Sequence, residues 1–154
     1  MSKEYRGKIL TDSKKLNIAI ILMLVNAVLY MTIGFIYAIS GTFMPYHVDF
    51  IGKTESDVRA YDAELMIVIS ALIRLLGFYL IALAIIAIFV TKFGIRERKK
   101  WAWYCYLIKY LVIIPPNLIL TWMITGIFGS VFFLTAIIAI SWLIAQYLSY
   151  KEIF

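Results

Sequence analysis

An uninterrupted apolar run extends from Leu16 to about Ser40 without a single charged side chain. A helix that crosses the hydrocarbon layer of a membrane, about 30 Å thick, needs about 20 such residues. A secretory signal peptide is the competing interpretation, because Ala38, Ile39 and Ser40 resemble a cleavage site. The apolar region of a signal peptide is only about 7–15 residues long, however, which is shorter than this run. The run therefore predicts an uncleaved membrane-spanning helix.

Three more apolar runs follow, at about residues 65–91, 101–125 and 127–149. The 154-residue chain is 64% hydrophobic and 16% charged, whereas soluble domains average about 45–50% and about 25%. No polar stretch is long enough to build a second, water-soluble core. We therefore predict an all-α, polytopic membrane protein: one membrane domain over residues 1–154, formed by a four-transmembrane-helix bundle.

Basic and acidic residues are concentrated in different segments of the chain. Residues 1–15 hold five basic and two acidic side chains, residues 41–64 two and five, and residues 92–100 five and one. Positively charged segments stay in the cytoplasm. The pattern predicts a multi-pass protein of the cell membrane with both termini cytoplasmic and residues 41–64 outside. Because it also accounts for the formal net charge of +6, nucleic acid is not an expected partner.

The outer segment predicts a short amphipathic helix or elbow. Pro45 and Gly52 indicate an irregular start, after which Thr54 is placed to cap a helix whose first turn carries Glu55 and Asp57. This helix is either a lid on the membrane surface or simply the entry turn of the second span, into which it could run.

Two cations fall inside predicted spans. Arg74 lies ten residues beyond Glu64, about 15 Å into the membrane and therefore near mid-depth, and Lys109 lies eight residues beyond Trp101, about 12 Å from the inner side. Each costs about 2.5–3.5 kcal/mol at the centre of a span unless it faces protein, water or an anion. No predicted span contains an acidic residue. The candidate partners are an outer-loop carboxylate, a lipid phosphate, an anionic ligand or an acidic residue of another subunit; the alternative is snorkelling to the interface.

Neighbouring small and polar residues extend this candidate site. Ser70, Arg74 and Gly77 share one stripe of the second span because they are three or four residues apart. The small side chains at this stripe allow another helix to approach closely. Asn117 in the third span is a further polar group that could meet Arg74 or Lys109, or could serve only as a hydrogen bond between helices. These five residues are the predicted ligand-binding or partner-binding set.

A basic and aromatic run at the predicted inner boundary suits contact with anionic lipid headgroups, to which each basic residue contributes about 1 kcal/mol. Its members are Arg96, Arg98, Lys99, Lys100, Trp101 and Trp103.

The chain has one cysteine and one histidine. Cys105 cannot form an internal disulfide or a CxxC pair and is interpreted as a small packing residue. His47 supplies at most one ligand of a metal shared with a partner; it is otherwise a proton carrier or simply solvated. There is no glycine-rich phosphate loop, nucleophile elbow or carboxylate pair within the spans. We therefore expect neither a cofactor nor an enzyme.

The order of features resembles a family of small, uncharacterised four-span prokaryotic membrane proteins. The matching elements are an outer Gly-x-Thr segment at Gly52 and Thr54, Arg-x-x-Gly at Arg74 and Gly77 in the second span, and the basic turn leading into Trp-Ala-Trp at 101–103. The resemblance covers about the middle third of the chain. It implies a four-span topology and draws attention to Arg74, and it names no reaction.

Two functions fit these observations. The first is a non-catalytic accessory or scaffold subunit of a larger membrane complex, in which other membrane subunits would neutralise the cations. The alternative is a small binding or transport protein for an anionic lipid or amphiphile, with Arg74, and in a second version also Lys109, as the anion site under the 41–64 segment. Membrane lipids are expected partners in both.

Overall fold

A computed structural model describes residues 13–126 and 129–154. Nearly all of this part of the chain is α-helical, and it contains no strand. The helices are α1 (Lys14–Ser40), α2 (Pro45–Ile51), α3 (Glu55–Tyr61), α4 (Ala63–Val90), α5 (Lys100–Thr125) and α6 (Ser130–Ile153), and a π-helical turn, Thr91–Ile95, continues α4. Most of the basic N-terminal segment and the predicted start of the fourth span at residue 127 lie outside the described residues.

The four long helices α1, α4, α5 and α6 are each long and apolar enough to cross a membrane. Their positions agree with the predicted spans, and the prediction of an all-α four-helix bundle is confirmed. With its π-helical turn, α4 runs unbroken over 33 residues, Ala63–Ile95, which is longer than the roughly 20 residues that one span needs.

Two ends of the bundle are defined by their residues. The basic end comprises the start of α1, the π-helical turn with residues 96–101, and the end of α6. The acidic end comprises the end of α1, residues 41–64, and the end of α5 with the start of α6. Neighbouring long helices run antiparallel, because each connection stays at one end of the bundle and the next helix returns the chain to the other end.

Helix α1 is the most deeply buried of the four long helices. It packs against α4 on one side and α6 on the other, and α5 packs against α6. The fourth pair, α4 and α5, touches little along its length and closes mainly at the basic end, where α5 meets the π-helical turn. The bundle is therefore a ring with a cleft between α4 and α5.

Two glycines set the close approach of α1 and α4. A Cβ atom built on Gly34 would lie 2.8 Å from the carbonyl oxygen of Gly77, and one built on Gly77 would lie 2.6 Å from the carbonyl oxygen of Gly34. Ile81, one turn beyond Gly77 along α4, also contacts Gly34 of α1. The stripe predicted from helical spacing therefore faces α1, as expected for small residues at a helix crossing.

Buried amides join α6 to its two neighbours. The Ser141 hydroxyl donates to Oδ1 of Asn26 in α1 at 3.0 Å. The Gln146 amide donates to the carbonyl of Trp103 at 3.0 Å, and the Trp103 indole N–H donates back to the carbonyl of Gln146 at 3.1 Å. These groups pair helix with helix and do not gather into one polar centre.

The connection between α1 and α4 differs in part from its prediction. The expected irregular start at Pro45 and Gly52 is instead the helix α2, because proline is favoured in the first turn of a helix and glycine ends one in the left-handed conformation, here with φ 65°. Thr54 caps α3 in a capping box with Asp57, as predicted. Helix α3 does not run into α4, because Asp62 leaves helical geometry and caps α4 anew.

Candidate functional site

Arg74 projects from α4 onto the end of α1. Its Nη1 donates to the carbonyl oxygens of Ala38 at 3.2 Å and Ile39 at 3.0 Å, and its Nη2 donates to the carbonyl oxygen of Ser40 at 3.3 Å. The last carbonyls of a helix have no partner within the helix and carry its negative dipole end. Arg74 therefore satisfies acceptors that would otherwise be bare at the acidic end of α1.

Among the described residues, the outer-loop carboxylate expected from the sequence is not the partner of Arg74. Within the described residues the side-chain ion pairs are Arg59–Glu55 at 2.9 Å and Arg98–Glu152 at 3.6 Å, and neither involves Arg74. The Arg74 guanidinium is level with the last turn of α1. The first turns of α4 extend beyond the end of α1. Ser70, one turn further out, is half-buried.

Lys109 lies in the cleft between α4 and α5, in a groove of about 140 Å³. It is the charged residue among the side chains that line this groove, and the others are apolar except for a thiol and a phenol. The lining residues are Leu83, Ile86, Ala87 and Val90 from α4, and Cys105, Tyr106 and Lys109 from α5. Cys105 is exposed and lines the groove, which corrects its interpretation as a packing residue.

Three tyrosine rings surround the Lys109 ammonium. Its Nζ lies 5.4 Å from the ring centroid of Tyr30, 5.9 Å from that of Tyr106 and 5.2 Å from that of Tyr110. These are cation–π distances, and such contacts favour a cation most where water is excluded. The ammonium also donates a long hydrogen bond of 3.5 Å to the carbonyl oxygen of Leu83.

The Lys109 ammonium has capacity for a further acceptor. An ammonium carries three donors, and the bond to Leu83 uses one. Within the described part of the chain no carboxylate forms an ion pair with it. Its level in the bundle is given by Leu83, eight residues or about 12 Å from the π-helical turn, and its side chain is half-buried.

The π-helical turn follows the groove towards the basic end, directly after the lining residue Val90. The Tyr106 hydroxyl donates to the carbonyl oxygen of Ala87 at 2.8 Å, and the Thr91 hydroxyl donates to the same oxygen at 2.7 Å. The two hydroxyl oxygens are also within hydrogen-bond distance of each other, and since each hydroxyl has one proton, only two of these three hydrogen bonds form at a time. This network joins α5 to α4 on the side of Lys109 that faces the basic end. Single π-helical turns within α-helices are frequent at functional sites.

Asn117 is not part of this arrangement. It lies in α5 two turns from Lys109 towards the acidic end, and its side chain is exposed. Its main-chain carbonyl accepts a hydrogen bond from the Thr121 hydroxyl at 2.8 Å. The structure thus separates the predicted set: Arg74 and Gly77 are at the α1–α4 crossing, Ser70 lies beyond them, Lys109 is in the cleft, and Asn117 is on an outer face.

The basic and aromatic run folds against the end of α6. Arg98 pairs with Glu152 at 3.6 Å, and the Lys100 ammonium lies 4.8 Å from the ring centroid of Phe154. Trp103 is half-buried through its bonds to Gln146, whereas Trp101 is exposed. The other basic residues, Arg96 and Lys99, lie on the connecting segment between the π-helical turn and α5. The predicted headgroup-binding residues are therefore at one end of the bundle, the basic end.

His47 lies in the first turn of α2, and its side chain caps that helix. Its Nδ1 accepts a hydrogen bond from the backbone N–H of Met44 at 3.1 Å, and its ring packs 4.2 Å from the ring centroid of Tyr46. Burial lowers the pKa of His47 below its ordinary value. The described residues contain no group of three or more metal-ligating side chains around it. His47 acts as a helix cap rather than a simply solvated side chain.

The aromatic cage of Lys109 was not predicted from the sequence, although a signal for it exists. Tyr106, Lys109 and Tyr110 follow the spacing of three and four residues that places side chains on one helical face. Tyr30 comes from α1 and is adjacent only through the packing of the bundle.

No family model, curated protein or solved structure matches this chain.

Proposed function

We propose that this protein is a small membrane-embedded binding protein for an anionic lipid or amphiphile, held in the α4–α5 groove at Lys109. The observation that carries the proposal is a cation inside an apolar groove, with a long bond to the carbonyl oxygen of Leu83 and no carboxylate partner among the described residues. A charge at this depth is stabilised by a counter-ion. An anionic headgroup entering from the bilayer would supply one.

The site differs from the one expected at Arg74. The carbonyls of Ala38, Ile39 and Ser40 already accept from that guanidinium, so Arg74 has less need of an anion. Lys109 lies in the groove and has donors left for a further acceptor. The groove opens laterally, since both Ile86 and Cys105 at its rim are exposed. Binding at Lys109 requires only that α4 and α5 remain apart, as they do in the bundle.

The single thiol of the chain is a natural reporter of groove occupancy. The protein is reconstituted into phosphatidylcholine vesicles with or without the anionic fraction of a membrane lipid extract, and N-ethylmaleimide labelling of Cys105 is timed. We expect the anionic fraction to slow labelling in the wild-type chain and not in Lys109→Met.

A matched control places the thiol outside the groove. Ile108 is 62% exposed on the same helix and does not line the groove, so the double variant Cys105→Ala, Ile108→Cys reports general effects of lipid on labelling. Its rate is expected to be independent of the anionic fraction. Equal labelling of Cys105 with and without that fraction would refute the proposed function.

A second candidate is the accessory subunit of a membrane complex, and Asn117 favours it. Its exposed amide lies about 12 Å, or eight residues, inside the end of α5. Amides within membrane helices often hydrogen-bond to a neighbouring helix. Asn117→Leu should release stoichiometric partners that co-purify with the wild-type chain in mild detergent; a wild-type chain that purifies alone and monomeric would count against this role.

We further propose the orientation and location that the charges favour: the basic end in the cytoplasm, residues 41–64 outside, and the cell membrane of a prokaryote as the site of residence. The positive-inside rule supports the orientation, and the resemblance at 52–54, 74–77 and 96–103 supports the source. An impermeant thiol reagent added to intact cells should label Ser56→Cys in a Cys105→Ala background, and labelling only after lysis would reverse the orientation.

A further inference from the structure

We propose that the occupant of the Lys109 groove is a single-chain amphiphile with a carboxylate head, such as a long-chain fatty acid. This inference rests on the proposed function and specifies its ligand. The carboxylate would sit in the groove beside the Lys109 ammonium and next to Tyr106. Its hydrocarbon chain would leave the groove between α4 and α5 and continue into the bilayer.

The charge available in the groove indicates a head with one negative charge. Lys109 is the cation among the lining residues. It is level with Leu83 of α4, and from there Arg74 is nine residues away in one direction and Lys92 nine residues away in the other, about 14 Å along the helix in each case. Neither can pair with the same small headgroup. A second negative charge, as on a phosphate monoester, would be left without a partner, at a high cost in an apolar site.

The chemistry of the groove walls indicates a head that ends in the acid itself. A phosphodiester lipid carries a polar alcohol beyond its phosphate, and this alcohol would need hydrogen-bond partners. The walls around Lys109 are Leu83, Ile86 and Ala87 on α4. The nearby Tyr106 hydroxyl already donates to the carbonyl oxygen of Ala87. A buried alcohol without partners is unfavourable, whereas a carboxylate places only its two oxygens in the site.

The size of the groove is consistent with the same head. Its volume is about 140 Å³, and an engineered cavity of about 150 Å³ holds a benzene-sized molecule. A carboxylate with its first few methylene groups is of this size, whereas a glycerophosphodiester head is larger. The rest of the chain lies outside, past the exposed side chains of Ile86 and Cys105.

The test uses the whole protein in detergent micelles and measures ligands retained in native mass spectrometry. The probes are hexadecanoate, hexadecan-1-ol, which has the same chain length without the charge, and phosphatidylglycerol. We expect one hexadecanoate per wild-type chain, and no comparable retention of the alcohol or of phosphatidylglycerol. The comparison of probes on the wild-type chain needs no variant, so it does not depend on any variant folding.

Variants at Lys109 assign the site. Lys109→Met keeps the length of the side chain without its charge and should weaken hexadecanoate binding about 30-fold or more, because it leaves the carboxylate buried and unpaired. Lys109→Arg retains the charge and should retain binding. Lys92→Met, which removes a cation outside the groove, should leave hexadecanoate retention unchanged.

The possible outcomes separate this inference from the proposed function. Lys109-dependent retention of phosphatidylglycerol with no hexadecanoate would overturn the carboxylate inference and leave the proposed function standing. Equal retention of hexadecan-1-ol and hexadecanoate would overturn the inference, because the charge would then play no part. Retention of all probes unaffected by Lys109→Met, or retention of none, would overturn both.

Discussion

The Arg74 guanidinium packs against Gly41, the residue that ends α1 in the left-handed conformation with φ 59°. A Cβ atom built on Gly41 would lie 2.9 Å from Cζ of Arg74. Glycine at this position therefore permits both the helix end and the approach of the arginine. Once seated, the guanidinium spans the last three carbonyls of α1.

Loss of this contact should destabilise the bundle. Arg74→Met removes three hydrogen bonds to a helix C-terminus, an arrangement for which cations in favourable positions contribute up to about 2 kcal/mol. We expect a lower midpoint of thermal unfolding in detergent, measured by circular dichroism. Arg59→Ala, which breaks only the exposed pair with Glu55, should cost no more than about 0.5 kcal/mol. Equal midpoints for wild type and Arg74→Met would contradict the role assigned to Arg74.

The α1–α4 crossing makes an equally specific prediction at Gly77. Within an unconstrained helix, Gly→Ala stabilises by about 1 kcal/mol. At Gly77 the added Cβ would lie 2.6 Å from the carbonyl oxygen of Gly34 and 2.9 Å from Cα of Ala38, so the helices must move apart. We expect Gly77→Ala to lower the unfolding midpoint. A rise in the midpoint would show that α1 and α4 do not meet at these glycines.

His47 should make α2 sensitive to pH. Its Nδ1 accepts the Met44 N–H only when it is unprotonated, and burial lowers the pKa of the folded imidazole below the ordinary value of about 6.5. The unfolded chain therefore takes up a proton at a higher pH than the folded one. The contribution of His47 to stability is complete above about pH 6.5 and is lost as the pH falls towards the lowered pKa.

Hydrogen exchange of the α2 amides between about pH 7.5 and 5.5, corrected for the intrinsic pH dependence of exchange, measures this loss. His47→Gln is the matched control, because glutamine at this position of a capping box also accepts from the backbone and does not titrate. Protection of α2 should fall at low pH in the wild type and stay constant in His47→Gln. A parallel fall in both chains would assign the pH dependence to another group.

The sequence predicts the long helices well because their apolar runs are long and are separated by charged segments or, between α5 and α6, by the glycines at 126 and 129. It predicts the Thr54 cap because the capping residues are adjacent in the chain. It does not reveal the partner of Arg74, since backbone carbonyls carry no residue signature and become available only where a neighbouring helix ends. The groove at Lys109 cannot be predicted from the sequence either, because a gap between α4 and α5 depends on how the helices pack.

Native mass spectrometry of the protein extracted with its own lipids tests the central claim most directly. Wild type and the variants Arg74→Met and Lys109→Met are compared for a bound anionic amphiphile. We predict that the wild-type chain and Arg74→Met retain it and that Lys109→Met loses it. Retention by Lys109→Met, together with loss in an Arg74→Met chain that circular dichroism shows to be folded, would return the anion site to Arg74 and contradict the assignment to the α4–α5 groove.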